Sequence, residues 1–136
     1  MQDDVLKALP KVELHCHLEL TARHELLKEL LSAKGRTFEE HEFRRDYLIT
    51  EPVGDLPTLL NIFLGHRDLL DSPEVVERMT YECCEDMAAN GVRLLELRYA
   101  PSFLCDVHDG LTPDGMHEAV LKGVARAERD LSLIHI

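Results

Sequence analysis

The sequence predicts an α/β protein with parallel strands, and three observations carry that expectation. Two short segments of period-two apolar alternation are separated and followed by longer segments of helical period. The resulting order of strand, helices, strand, helix implies parallel strands joined by right-handed crossovers. Caps, prolines and glycines mark the helix ends where such units need them. Finally, 136 residues with 45% hydrophobic and 30% charged side chains form a chain able to bury a core, about one average domain long.

Lys11 to His17 is predicted as the first strand, with Val12, Leu14 and Cys16 on one face and Glu13, His15 and His17 on the other. Arg23 to Ala33 places Leu26, Leu27, Leu30 and Leu31 at helical spacing, and Gly35 follows as a stop. Residues 36–54 are polar and mixed and are expected to form an excursion with at most short helices. Leu56 to Leu70 follows as a helix with Leu56, Leu59, Leu60, Phe63, Leu64 and Leu69 along a wide apolar stripe, Pro57 falling in its first turn.

The next helix has the clearest bounds: Ser72 as N-cap, Pro73 at the first helical position, Glu74 in the first turn, a stripe of Val76, Met79, Cys83 and Met87, and Gly91 just past the end. Val92 to Tyr99 reads as the second strand, with Leu95, Leu97 and Tyr99 on one face and Val92, Leu94, Glu96 and Arg98 on the other. Pro101 ends it. Thr112, Pro113 and Asp114 open a last helix that runs through Ala119, Val120, Val124 and Ala127 to about Asp130.

Composition narrows the partners. Twenty-six acidic against 15 basic residues leave a net charge of −11, which repels phosphate backbones and anionic headgroups, so neither nucleic acid nor a membrane surface is an expected partner. The N-terminus has no basic-then-apolar leader and the apolar runs are only a few residues long, which predicts a soluble, cytoplasmic chain. Cys16, Cys83, Cys84 and Cys105 form no C-x-x-C and are expected as reduced thiols, with Cys83 and Cys84 packing in a helix.

Eight histidines in so short a chain are many. His15 and His17 share a strand face, so two imidazoles can reach one divalent ion, although the same spacing also suits two surface or hydrogen-bonded histidines. An apolar strand before them and Glu19 just after place them at a strand end, where β/α barrels bind metals and do their chemistry. His24, His41, His66, His108 and His117 follow no ligand spacing and are expected to be solvated or capping. Glu96 and Arg98 are expected to form an inward ion pair of structural role.

The residues Pro10-Lys11-Val12-Glu13-Leu14-His15-Cys16-His17-Leu18-Glu19 resemble the opening strand of the adenosine deaminase family, P-K-x-E-L-H-x-H-L-[DE]. Leu56-Pro57-Thr58-Leu59-Leu60-Asn61-Ile62-Phe63 is similar to the family's L-x-x-F-L-x-x-F helix, and Glu96-Leu97-Arg98-Tyr99-Ala100-Pro101 to its E-[VL]-R-[YF]-[SA]-P strand. Leu111-Thr112-Pro113-Asp114 matches the entry to the following helix, so the likeness runs from about Pro10 to Asp130.

The resemblance implies the N-terminal portion of a (β/α)8 TIM-type barrel, incomplete in this chain, since a closed barrel takes roughly 250 residues. It implies a zinc-dependent aminohydrolase that removes the 6-amino group of a purine nucleoside, most simply adenosine, with one Zn2+ per full-length subunit. His15 and His17 would be two of the zinc ligands, and with Glu19, on the sugar side, His17 would contact the substrate. Leu56, Leu59, Leu60 and Phe63 would be an apolar gate over the purine; by pattern alone the same residues fit an ordinary core-facing stripe.

Leu20 stands where the family usually has glycine, which bears on the sugar end of the pocket and so on the choice among adenosine, adenine and modified adenosines. A non-catalytic acidic α/β interaction domain is the alternative from another class. The family's third metal histidine, proton-shuttling glutamate, second histidine and aspartate ligand lie on later strands, so residues 1–130 are expected to be the first βα units and to be inactive alone. Residues 131–136, LSLIHI, break the helical pattern and match the translation of a transposase sequencing adapter, so they are expected to be a non-native tail without function.

Overall fold

The computed structural model describes residues 2–131 and 134–135, and its elements follow the predicted order with several additions. The chain starts with α1 (Gln2–Ala8) and enters β1 (Lys11–His17), which spans the predicted range. A 3-10 turn (Leu18–Leu20) leads to α2 (His24–Ala33), which Gly35 ends at a positive φ of 69°. The excursion holds one short helix, α3 (Glu40–Tyr47), closed by a capping box between Glu39 and Glu42 and anchored by the buried ring of Phe43.

Helix α4 (Leu56–Arg67) starts where Asp55 accepts a 2.8 Å hydrogen bond from the Thr58 N–H, and it ends three residues short of the predicted Leu70. Its buried residues are Ile62 and His66, while Leu56, Leu60 and Leu64 stay exposed. The leucine stripe is therefore not the core-facing side. Helix α5 (Pro73–Ala89) has Ser72 as N-cap, accepting from the Val75 N–H, and Gly91 at φ 82° behind it, as predicted.

Strand β2 (Val92–Arg98) follows, one residue shorter than expected because Ala100 caps a short helix, α6 (Pro101–Cys105), that the sequence pattern did not show. Helix α7 (Pro113–Leu131) completes the crossover with Met116, Ala119, Val120, Gly123, Val124 and Ala127 buried. A two-residue strand, β3 (Ile134–His135), then pairs with β2, so the sheet has a third member inside the segment expected to be a tail; Ser132, Leu133 and Ile136 of that segment lie outside the described residues.

All three strands are parallel, in the order β1-β2-β3. Lys11 pairs with Val92 and His17 with Arg98, so the C-terminal ends of β1 and β2 coincide. At the opposite end Lys11 ties β1 to the residues before β2, its N–H donating to Gly91 O at 2.9 Å and its ammonium to Asn90 O at 2.7 Å, and the pairing shifts by one residue between Lys11 and Val12 and shifts back between Glu13 and Cys16. The core lies where α5 and α7 pack on β2, and a glycine lets them close: a Cβ on Gly123 would fall 2.7 Å from both Glu77 O and Thr80 Cβ.

Among the described residues, strand β1 has β2 on one edge and no strand on the other. Val12 and Leu14, predicted to share a packed face with Cys16, are about 60% exposed, whereas Cys16 is buried. No helix among the described residues is long and apolar enough to cross a membrane.

Candidate active site

His15 and His17 end β1 with their ring centroids 5.1 Å apart, a separation that places both on one side of the strand. Both are solvent-exposed. The carboxylate of Glu13 bends back to accept the His15 N–H at 3.0 Å, satisfying a donor on the edge strand. Across the register, Arg98 reaches His15, its Nη1 lying 2.8 Å from each ring nitrogen.

This corrects one expectation. Among the described residues Arg98 has no ion pair with Glu96. Pairing of His17 with Arg98 puts the guanidinium beside the histidines, where it meets the His15 ring.

Glu19 follows in the 3-10 turn and is 2% exposed. One carboxylate oxygen, Oε1, accepts the Ala100 N–H at 2.6 Å, a contact that spans 81 positions of sequence and exists because the ends of β1 and β2 are side by side. The other oxygen, Oε2, is buried without a hydrogen-bond partner and lies 4.0 Å from His17 Nδ1. A buried carboxylate oxygen left free is costly to a fold and is a common mark of a site built for a ligand.

Phe63 of the proposed gate meets His17 edge-on, ring centroids 6.2 Å apart, and meets Phe103 of α6 at 6.3 Å. Leu59 is half-buried; Leu60 is exposed, as is Leu56 at 64%. The structure thus brings together His15, His17, Glu19 and Phe63 and leaves Leu56 and Leu60 as uncovered apolar surface on the same helix. Phe103 and the Ala100 N–H join the group without any signal in residue spacing.

The remaining histidines divide. His108 Nε2 lies 2.8 Å from Arg67 O and His117 Nδ1 lies 2.5 Å from the Tyr99 hydroxyl, while His24 packs edge-on to Phe43. His66 departs from its expected solvated role: it is buried, because it shares a face of α4 with Ile62 one turn earlier. That i, i+4 pairing was the available signal.

Among the described residues no three His, Cys, Asp or Glu side chains converge as a metal cage. The donor chemistry nonetheless fits a partial zinc site: two neighbouring imidazoles supply two of the three protein ligands that catalytic zinc usually takes.

The profile of the family described as adenosine deaminase matches residues 10–135. The chain belongs to the adenosine deaminase family. An adenosine deaminase from Clostridium perfringens is 35% identical over 123 residues, covering 88% of this chain and 36% of its own. Among solved structures, an amidohydrolase from Burkholderia ambifaria with bound Zn superposes with a TM-score of 0.81 at 31% identity, over 98% of this chain and 36% of its own. The N6-methyl-AMP deaminase of Arabidopsis thaliana gives a TM-score of 0.66 at 30% identity, over 90% of this chain and 35% of its own. This chain therefore spans little more than a third of the length of the relatives it matches, and its fold is part of the amidohydrolase barrel.

Proposed function

We propose that this adenosine deaminase family chain forms the opening part of an enzyme that hydrolyses the 6-amino group of a purine nucleoside, converting adenosine and water to inosine and ammonia. The observation that carries the reading is the free, buried Oε2 of Glu19 beside the His15 and His17 rings, at the coincident C-terminal ends of two parallel strands. His15 and His17 would hold a zinc ion, which when bound supplies hydroxide near neutral pH.

The chain's own residues do the rest of what this segment contributes. Glu19, held by the Ala100 N–H, offers its free oxygen to a hydroxyl on the sugar side of the substrate. Phe63 and Phe103 form an aromatic edge over the histidines and exclude water from the purine. Leu59, Leu60 and Leu56 extend that edge as the apolar gate, and Leu20 narrows the sugar end relative to a glycine.

The reading is tested on the protein carrying this segment at full length by following ammonia release from adenosine, adenine and N6-methyl-AMP. Adenosine should be turned over fastest, His15→Ala and His17→Ala should each abolish turnover and lower bound zinc, and the 136-residue chain alone should release none. Turnover that survives both histidine substitutions would overturn the assignment, and preference for another substrate would move it within the family.

A further inference from the structure

We infer that His66 is a positioning residue for Glu19, fixing the turn that aims the free carboxylate oxygen into the site; the inference rests on the function proposed above. His66 is 4% exposed and sits in the last turn of α4. Its Nδ1 lies 3.2 Å from the backbone carbonyl oxygen of Glu19, and its Nε2 lies 2.8 Å from the carbonyl oxygen of Tyr47 at the end of α3. Both partners are carbonyl oxygens and can only accept, so in each contact the facing ring nitrogen is the donor.

The surroundings are shaped for this bridge. The imidazole stacks on the Tyr47 ring, centroids 6.2 Å apart and 28° from parallel. Gly65 keeps the approach open, since a Cβ there would lie 3.2 Å from the Tyr47 ring. On its open side His66 borders a cavity of about 240 Å³ that Leu20, His24 and Arg44 also line.

One side chain therefore ties three pieces of chain that are far apart in sequence: the 3-10 turn, the end of α3 and α4. The consequence for Glu19 is specific. Its carboxylate is fixed at one end by the Ala100 N–H, through Oε1, and its backbone is fixed at the other by His66. Loss of the His66 contact frees the peptide of Glu19 to rotate, and the direction of Oε2 goes with it.

The test combines two readouts on the full-length protein. The first is amide exchange at Ala100, whose N–H is protected by the Glu19 carboxylate. His66→Ala should accelerate it about tenfold, the effect of one lost hydrogen bond, while amides in the middle of α7 stay protected. His66→Gln, which keeps one donor and nearly the same volume, should fall between and serves if the alanine variant does not fold.

The second readout is a double-mutant cycle with Glu19→Gln, following KM and kcat for adenosine. His66→Ala, or His66→Gln in its place, should raise KM with little change in kcat, and the rise should disappear in the Glu19→Gln background, as expected for residues acting through one contact. Unchanged exchange at Ala100 would overturn the positioning role whatever the activity. An equal loss of kcat/KM in both backgrounds would also overturn it, by showing a structural role independent of Glu19. Faster exchange at Ala100 in a protein that deaminates no purine would keep the positioning role and sink the proposed function instead.

Discussion

Replacing Glu19 separates what the site needs from what the fold needs. In Glu19→Ala the Ala100 N–H loses a 2.6 Å charge-assisted partner, a contact of a kind that contributes about 1.5–3 kcal/mol, and the side chain leaves a void in a position only 2% exposed. The expected loss of stability is about 2–3 kcal/mol. In Glu19→Gln the amide oxygen still accepts the Ala100 N–H as a neutral bond worth about 1 kcal/mol, and the unpartnered position becomes a neutral NH2, which costs less to bury than a carboxylate oxygen. These terms nearly cancel, so stability should stay within about 1 kcal/mol of the parent.

Function should not follow the same order. On the proposed function both substitutions remove the carboxylate acceptor that Glu19 would offer the substrate, so kcat/KM for adenosine should fall about 10- to 100-fold in each. Urea unfolding gives the first quantity and ammonia release by the full-length protein gives the second. A Glu19→Gln variant as unstable as Glu19→Ala, or one that retains full kcat/KM, would refute the assignment of Oε2 to a ligand.

Other expectations concern the frame. Gly123→Ala should destabilise by about 1–2 kcal/mol in chemical denaturation, since crowding against Glu77 O and Thr80 outweighs the helix-propensity gain of about 1 kcal/mol; a stabilised variant would show that α5 and α7 are not so closely packed. Asp55→Ala should cost about 1 kcal/mol through loss of the α4 cap, and an unchanged midpoint would mean that the cap is frayed. Burial, reinforced by the nearby Cys16 and Glu128, pushes the Cys84 thiol up to about 11 from 9.0. Between those values the unfolded chain has lost a Cys84 proton that the folded chain keeps, so this thiol's share of the stability is complete below pH 9 and falls by about 2 kcal/mol as pH rises to 11. Cys84→Ala should flatten that fall, and an identical pH profile for both proteins would refute it.

The parts of the fold that were legible in the sequence are those fixed by short-range chemistry. Helix α5 is bounded by Ser72, Pro73 and Gly91, each acting on its own turn, and β1 shows its range through strict alternation. Helix α4 shows where such reading stops. Its leucines outnumber its other apolar residues, yet Ile62 and His66 face inward, because α3 and the 3-10 turn lie on that side, which spacing within α4 does not encode. Likewise Val12 and Leu14 alternate as core residues do, but nothing described covers that face. In the candidate site, the grouping of His15, His17 and Glu19 was readable because they sit within five residues. Arg98, Ala100 and Phe103 were not readable as their neighbours, since their place depends on strand register.

Register is thus what assembles this site. The Ala100 N–H reaches Glu19 and Arg98 reaches His15 only because His17 stands opposite Arg98. A slip of one residue would send the Arg98 side chain to the other face of the sheet, away from both histidines. At the far end of the pair, about 20 Å from His17, a second set of contacts joins the strands, and between the two ends the pairing shifts by one residue and then shifts back. There Lys11 bonds to Gly91 and Asn90, and the chain turns tightly enough that a Cβ on Gly91 would be 2.2 Å from Lys7 O. The pairing returns at Cys16 and His17 to the offset it has at Lys11, and it is this local pairing, His17 opposite Arg98, that brings the polar groups of the candidate site together.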